Sequence, residues 1–535
     1  MPRRFLAPIA TIMAAIAATT SAAAQSIQDA CNAPSFQTVL AAAPAGATDA
    51  RAVWLDQRTV RWPGISSEGR FRLVFSATGA LSAQRGRAAT GVDSALTLVN
   101  GAGTLQAETE LQFRHVGAGP TLTIADTDIV RAREWHRGQL LLVREDADGR
   151  VLDATRVQHA AALDTLFADA VAIPDLGVSV SGARARFRLW APTARGVTVC
   201  RFANDTAPSR AVVPMTRDAR TGVWTGEQAG NHNGEYYLYL VDVYVPGVGL
   251  VRNRVTDPYS ISLSTNSQRS YIGDLASPLL APPGWARASR PAAAASATDQ
   301  VIYELHVRDF SINDSSVSPR NRGRYGAFAE RNSLGVQHLR ALQRAGVTDV
   351  HLLPVFDLAT VPERGCVTPK PRGSAASDSQ QATVQATAAT DCYNWGYDPL
   401  HYTVPEGSYT SNPADGAVRV REMRQLVQSL HALGLRVGMD VVYNHTSASG
   451  QHIHSVLDRI VPGYYHRLNA RGDVETSTCC ANTATEHRMM AKLMIESVAT
   501  WVRQYHVDAF RFDLMGHQPR DVMEQLQHTV DSVAG

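Results

Sequence analysis

The stretch "VDAFRFDLMGH" (residues 507–517) is an apolar, β-rich run that ends on Arg511-Phe512-Asp513. Alternate residues of a strand point to one face, so Arg511 and Asp513 share a side of whatever sheet the run joins. A guanidinium there keeps the carboxylate ionised and aims it through charge-assisted hydrogen bonds. A carboxylate held in this way can attack an electrophilic carbon, and it can equally be half of a structural ion pair. Comparable groups gather at the ends of other apolar runs. Glu304, His306, Arg308 and Asp309 follow one, "CYNWGYDPLHY" (392–402) follows a second, and "DVVYNH" (440–445) ends a third.

These groups need a frame, and the pattern from residue 301 onward supplies it. "VIYELHV", "DVHLLPV", "RVGMDVVY" and "DAFRFD" read as strands. "LGVQHLRALQRAG", "AVRVREMRQLVQSLHALG", "EHRMMAKLMIESVATWVRQY" and "RDVMEQLQHTVDSV" read as helices, two of them ending on Gly346 and Gly434. Regular strand–helix alternation with buried apolar strands predicts a parallel sheet with right-handed crossovers. Reactive groups of such a sheet collect beyond the carboxyl ends of its strands, where all the residues above fall. Residues 363–391 are low in complexity and read as a flexible loop.

Upstream the periodicity is two. Residues 49–169 ("RAVWLDQRTVRW", "RFRLVFS") read as an all-β module, and 173–275 ("ARFRLWAPTARGVTVCRF", "GEYYLYLVDVYVPGVG") as an antiparallel sandwich of immunoglobulin-like shape. A Pro/Ala/Ser-rich linker occupies 280–300. Residues 1–24 have the cationic start, short apolar stretch and small-residue end of a secretory signal peptide, which predicts a secreted or periplasmic protein. Export permits disulfides among the six cysteines. Cys366 and Cys392 bracket one polar loop and are expected to pair across its base. The adjacent Cys479 and Cys480 are expected to act independently. With 535 residues, 44% hydrophobic, 19% charged and a net charge of +2, the chain can bury sizeable cores. It lacks the concentrated basic surface that nucleic acid or an anionic membrane would require. No segment after residue 24 reads as a membrane span.

"YNWGYDP" (393–399), "DVVYNH" and "FRFDLMGH" together resemble the α-amylase superfamily, in particular its type I pullulanases, which debranch α-1,6-linked glucans. "RAVWLDQRTVRWP" resembles the β-sandwich module that precedes the catalytic region of bacterial pullulanases, and "FRLWAPTARGVTV" a starch-binding-like module of debranching enzymes. The implied architecture is two N-terminal β-sandwich modules followed by the first half of a (β/α)8 barrel. The resemblance makes Asp513 the catalytic nucleophile of a retaining glycosidase. It makes Tyr397 the ring that stacks on the bound glucose, His445 a sugar-contacting histidine, and Asp440 an acid beneath the site paired with Arg511. His517 becomes a further glucan contact, and Trp395 and Asp398 parts of the same wall. Trp190 and Trp224 could be stacking platforms or core. The implied partner is an α-glucan bound by a monomer. No cofactor is required, and Asn444 leaves calcium as an option.

The family also needs a glutamic acid after a fifth strand and a histidine–aspartate pair after a seventh, and neither element is present. Glu524 lies on a helix and does not fit the acid. The sequence is therefore expected to be an incomplete, inactive part of a longer protein. Two other readings stand beside this one. They are an isoamylase or glycogen-debranching specificity, and a non-catalytic glucan-binding protein.

Overall fold

A computed structural model of the chain describes residues 27–44, 48–101, 105–477 and 479–534. The expected signal peptide lies outside the described residues. Strands Val151–Thr155, Gln139–Glu145, Arg70–Ser76, Ser94–Asn100, Thr121–Thr123, Thr59–Arg61, Ala52–Trp54 and Val157–Gln158 lie next to one another in that order as one path. Ser94–Asn100 joins its two halves, pairing Arg70–Ser76 through residues 94–98 and Thr121–Thr123 through 99 and 100. The second module is a sandwich of two antiparallel sheets, built on Ala194–Phe202, Tyr236–Val245 and Gly249–Val255 on one side and Arg184–Trp190 and Val223–Ala229 on the other. Phe187 meets Tyr237 edge to face across the gap, with ring centroids 5.1 Å apart.

The second module also takes in residues from before position 49. Gln37–Ala42 adds an edge strand against Gly249–Val255, and Cys31 is disulfide-bonded to Cys200. The expected Cys366–Cys392 bond is present. The loop it closes is more ordered than its composition suggests. Ser379–Thr387 forms a helix with no buried residue.

The sheet that carries the candidate site has four strands, β1 (Ile302–Leu305), β2 (Asp349–Leu352), β3 (Arg436–Val441) and β4 (Ala509–Phe512). They lie in chain order, all parallel. Helices α1 (Leu334–Arg344), α2 (Gly416–Ala432), α3 (Arg488–Tyr505) and α4 (Arg520–Ala534) alternate with them. Local chemistry sets the helix ends. Ser333 and Asp415 accept backbone N–H bonds at the starts of α1 and α2. Gly346 and Gly434 then turn left-handed just past the ends, at φ of 108° and 81°. This is four of the eight βα units of a (β/α)8 barrel.

Register decides which side chains meet. Glu304, His351, Gly438 and Ala509 are paired in a row across the four strands. Gly438 is needed there because a Cβ would collide with the His351 ring. In the next same-face row Asp440 pairs with Arg511.

One continuous apolar core runs from the β-modules into the βα region. Trp190 packs on Tyr464 and Tyr465, with centroids 4.6 Å and 6.1 Å apart, and the Nε1 of Trp190 and of Trp224 donates to backbone carbonyls. Both tryptophans are therefore core residues. The segment 280–300 is also anchored. Trp285 stacks on His506 at 4.2 Å, and Arg290 donates to the Val502 carbonyl.

Candidate active site

Asp513 stands at the carboxyl end of β4, with its side chain partly open to solvent. Its backbone N–H donates to the Val441 carbonyl at 2.9 Å, which fixes the end of β4 against β3. Leu514 follows in the left-handed region at φ 45°, a conformation unusual for a leucine. Strain of this kind often accompanies functional sites.

A single nitrogen, Arg511 Nη1, holds two acids. It lies 3.1 Å from Asp513 Oδ1, and 3.0 and 2.9 Å from the two oxygens of Asp440. The strand period brings Arg511 to the Asp513 side, and the register brings it beside Asp440. The neighbouring carboxylates raise the Arg511 pKa. Burial pushes the Asp440 pKa up, and hydrogen bonds from Tyr397 and Arg511 pull it down. With Tyr397 Oη donating at 2.6 Å and Arg511 gripping both oxygens, Asp440 is an acceptor on every side. Tyr397 itself is held as the neutral phenol, first by burial and then by the Asp440 carboxylate. Its ring lies 6.0 Å from the Arg511 guanidinium carbon.

Asn444 ties the far side together. Its Nδ2 donates to the Asp513 carbonyl at 2.8 Å and to Asp513 Oδ2 at 3.1 Å. Its Oδ1 faces His445 Nδ1 at 2.6 Å. His445 Nε2 lies 2.8 Å from the Tyr397 carbonyl. Burial lowers the His445 pKa. The expected sugar-contacting His445 is buried in this cluster, where oxygens of Asn444 and Tyr397 face its two ring nitrogens.

Five expected residues thus converge: Asp513, Arg511, Asp440, Tyr397 and His445. His517 does not join them. It sits in the turn Met515–His517, and its only hydrogen bonds among the described residues are made by its backbone. Trp395 is 61% exposed beside the cluster. Asp398 is turned away to accept from the Thr360 backbone at 3.0 Å, and burial pushes its pKa up to about 6. His306 holds the same loop from β1, with Nε2 2.8 Å from the Asn394 carbonyl and 3.1 Å from Tyr409 Oη. The positioning role of Asn444 escaped sequence reading. Its place next to His445 in "YNH" was the available signal.

The free thiols of Cys479 and Cys480 lie beside His445, their ligand atoms all within 4.8 Å of one another. Burial and the neighbouring Cys479 push the Cys480 thiol up to about 12, so it stays protonated.

The family model for the pullulanase N2 domain matches residues 49–165, and that for carbohydrate-binding module 48 (isoamylase N-terminal domain) matches 175–260. The pullulanase of Klebsiella pneumoniae is 38% identical over 523 residues, spanning 89% of this chain and 47% of that protein. Chloroplastic pullulanase 1 of Arabidopsis thaliana is 39% identical, spanning 87% of this chain and 48% of that protein. The crystal structure of apo pullulanase from Klebsiella pneumoniae superposes with a TM-score of 0.85 at 35% identity, over 92% of this chain and 58% of that one.

This chain is similar to pullulanases along most of its length.

It spans about half the length of the curated pullulanases it matches. A Klebsiella pneumoniae pullulanase complexed with maltotriose also matches, with a TM-score of 0.84 at 36% identity over 91% of this chain and 50% of that one. Among the described residues no helix is long and apolar enough to cross a membrane.

Proposed function

We propose that this chain carries the nucleophile side of a glycosidase site that hydrolyses α-1,6-glucosidic bonds in pullulan, starch limit dextrins or glycogen, with retention at the anomeric carbon. The observation that carries the reading is Asp513: a strand-end carboxylate, partly open, held by Arg511 and Asn444. In this scheme an Asp513 oxygen bonds to C1 as the C1–O6 bond breaks, and an acid gives the departing oxygen its proton. Water, deprotonated by the conjugate base of that acid, then attacks C1 and frees Asp513. Arg511 and Asn444 aim the Asp513 carboxylate. The Tyr397 ring offers an apolar face to the glucose at the cleavage position. His517 and the exposed Trp395 meet the glucan further out.

Among the described residues, neither Asp440 nor Glu524 is placed to be the acid. Asp440 is an acceptor from Tyr397 and Arg511, and Glu524 pairs with Arg520 on an exposed helix face. The donor must come from another part of a complete barrel, and the described residues alone are expected not to turn over. No cofactor enters the scheme, so removing metal with a chelator is expected to leave the rate unchanged. Two disulfides suit a secreted or periplasmic monomer.

The test is release of reducing ends from pullulan and from glycogen by the product of the complete reading frame, with the anomer followed by NMR. Initial release of the α-anomer from pullulan supports the reading. A preference for glycogen moves the chain to the isoamylase-type specificity. Retention on amylose without turnover makes it a glucan-binding protein.

A further inference from the structure

Away from the strand ends, a pocket of about 330 Å³ opens between the N-terminal arm and the second module. Asn32, Pro34, Thr206, Pro208, Arg254 and Arg269 are among the residues that line it, and none of its lining is acidic. The walls are fixed. Cys31 is bonded to Cys200, Ser209 N–H donates to Asn32 Oδ1 at 2.8 Å, and Gln28 donates to the Ser209 carbonyl at 2.7 Å.

The arginines are what need explaining. Arg254 has no side-chain hydrogen-bond or ion-pair partner among the described residues, and its Nε is closed off from solvent. A buried donor left unmade is costly, more so when it is charged. Arg269 lies flat over Phe202, 3.9 Å from guanidinium carbon to ring centre, and its Nη1 donates to the carbonyls of Asn204 and Ala207 at 2.6 and 2.8 Å. That grip orients the guanidinium and leaves its Nη2 and Nε without a protein partner. Burial first, and then Arg254, push the Arg269 pKa down to about 10. A third cation, Arg459, donates to the carbonyls of Phe36 and Arg254 from the rear. Burial first, and then Arg254, also push its pKa down to about 10. Asp205 is the acid that acts on Arg269, and it does not line the pocket.

Uncompensated, pre-oriented guanidinium groups around a small polar cavity form an oxyanion receptor, because a guanidinium presents paired donors that match phosphate oxygens. The volume sits at the lower end of the range for small-molecule sites, roughly 300–1,000 Å³. No aromatic residue lines the pocket, which argues against a sugar ring stacked there. We propose that this pocket binds a phosphate-class oxyanion, free or as a phosphomonoester, and thereby fastens the N-terminal arm to the second module. The inference is independent of the glycosidase reading.

The test uses the full chain with inorganic phosphate and, separately, glucose 6-phosphate, against chloride at matched ionic strength. The expected result is saturable broadening of the phosphate ³¹P signal and a rise in Tm of about 2 °C or more at saturating ligand. In Arg254→Gln and Arg269→Gln proteins both responses should be lost, while unfolding in chloride stays cooperative. Response to inorganic phosphate alone makes the free anion the ligand, and response to both admits a phosphorylated sugar. The absence of saturable broadening on the unmodified protein, or responses unchanged in both variants, would overturn the proposal. The first of these does not depend on any variant folding.

Discussion

Two clusters in this molecule use the same residue types in opposite ways. At the end of β4 the half-exposed Arg511 joins Asp513 and Asp440. Between the second module and α2, the fully buried Arg419 pairs with Glu363 at 2.6 Å and approaches Asp357 at 3.5 Å. Asp357 also binds His401 at 2.7 Å and accepts from Ser267 at 2.6 Å, and Arg419 donates to the Ser264 carbonyl at 2.7 Å. His401 in turn reaches Thr256. The sealed cluster joins the second module to the βα region, and its acids are the more perturbed. Burial pushes Glu363 up to about 7 and Glu406 up to about 8. A search led by perturbed acids alone would therefore stop at the interface. Access separates the two: a carboxylate that must reach a substrate stays open, and its cation sits beside it.

Each cluster can be probed by breaking its own chemistry, beginning with the largest expected effect. With turnover measured throughout on the product of the complete reading frame, Asp513→Asn should lower pullulan turnover by roughly 10⁴-fold or more, as loss of a nucleophile does, with Tm nearly unchanged. Steady-state kinetics and thermal unfolding of one preparation check both halves. Arg419→Met should do the reverse. It leaves buried acids without their cation and should cost about 3–5 kcal/mol of stability, measured by denaturant unfolding.

Arg511→Met should reduce turnover about 10²–10³-fold, as loss of one oriented charged donor does. Arg511→Lys should recover part of that loss, because one guanidinium nitrogen makes all the contacts. If lysine recovers nothing, the planar fork matters in a way these contacts do not show.

The smallest effect concerns pH. Glu363 and Glu406 hold their protons more tightly folded than unfolded, where the ordinary value is 4.5. These two groups therefore bind more protons in the folded state in that window, and their contribution to stability falls as pH rises from about 4.5 toward 7–8, then levels off. Glu406→Gln should flatten the upper part of this fall, read from Tm across the pH series.

Much of the frame was legible from periodicity. The four strands, their alternation with helices and the glycine helix ends follow from patterns local to each element. Asp513 and Arg511 were found because a period of two and an abrupt charge are local as well. What was missed is not local. The Cys31–Cys200 bond and the strand Gln37–Ala42 join segments far apart in the chain, and no short-range signal records such pairings. The motif names His445 and not its hydrogen-bond partners, which Asn444 and the Tyr397 carbonyl supply. Trp190 and Trp224 could have been platform or core, and only the packing of Tyr464 and Tyr465 decides for core.

The central claim is that Asp513 bonds transiently to a glucose C1. Incubating the product of the complete reading frame with an activated fluoroglucoside, whose glycosyl-enzyme turns over slowly, and mapping the label by peptide mass spectrometry tests it directly. The account predicts one glycosyl group per chain on Asp513 and none in Asp513→Asn. A label on any other side chain, or stoichiometric labelling that survives the substitution, would contradict it.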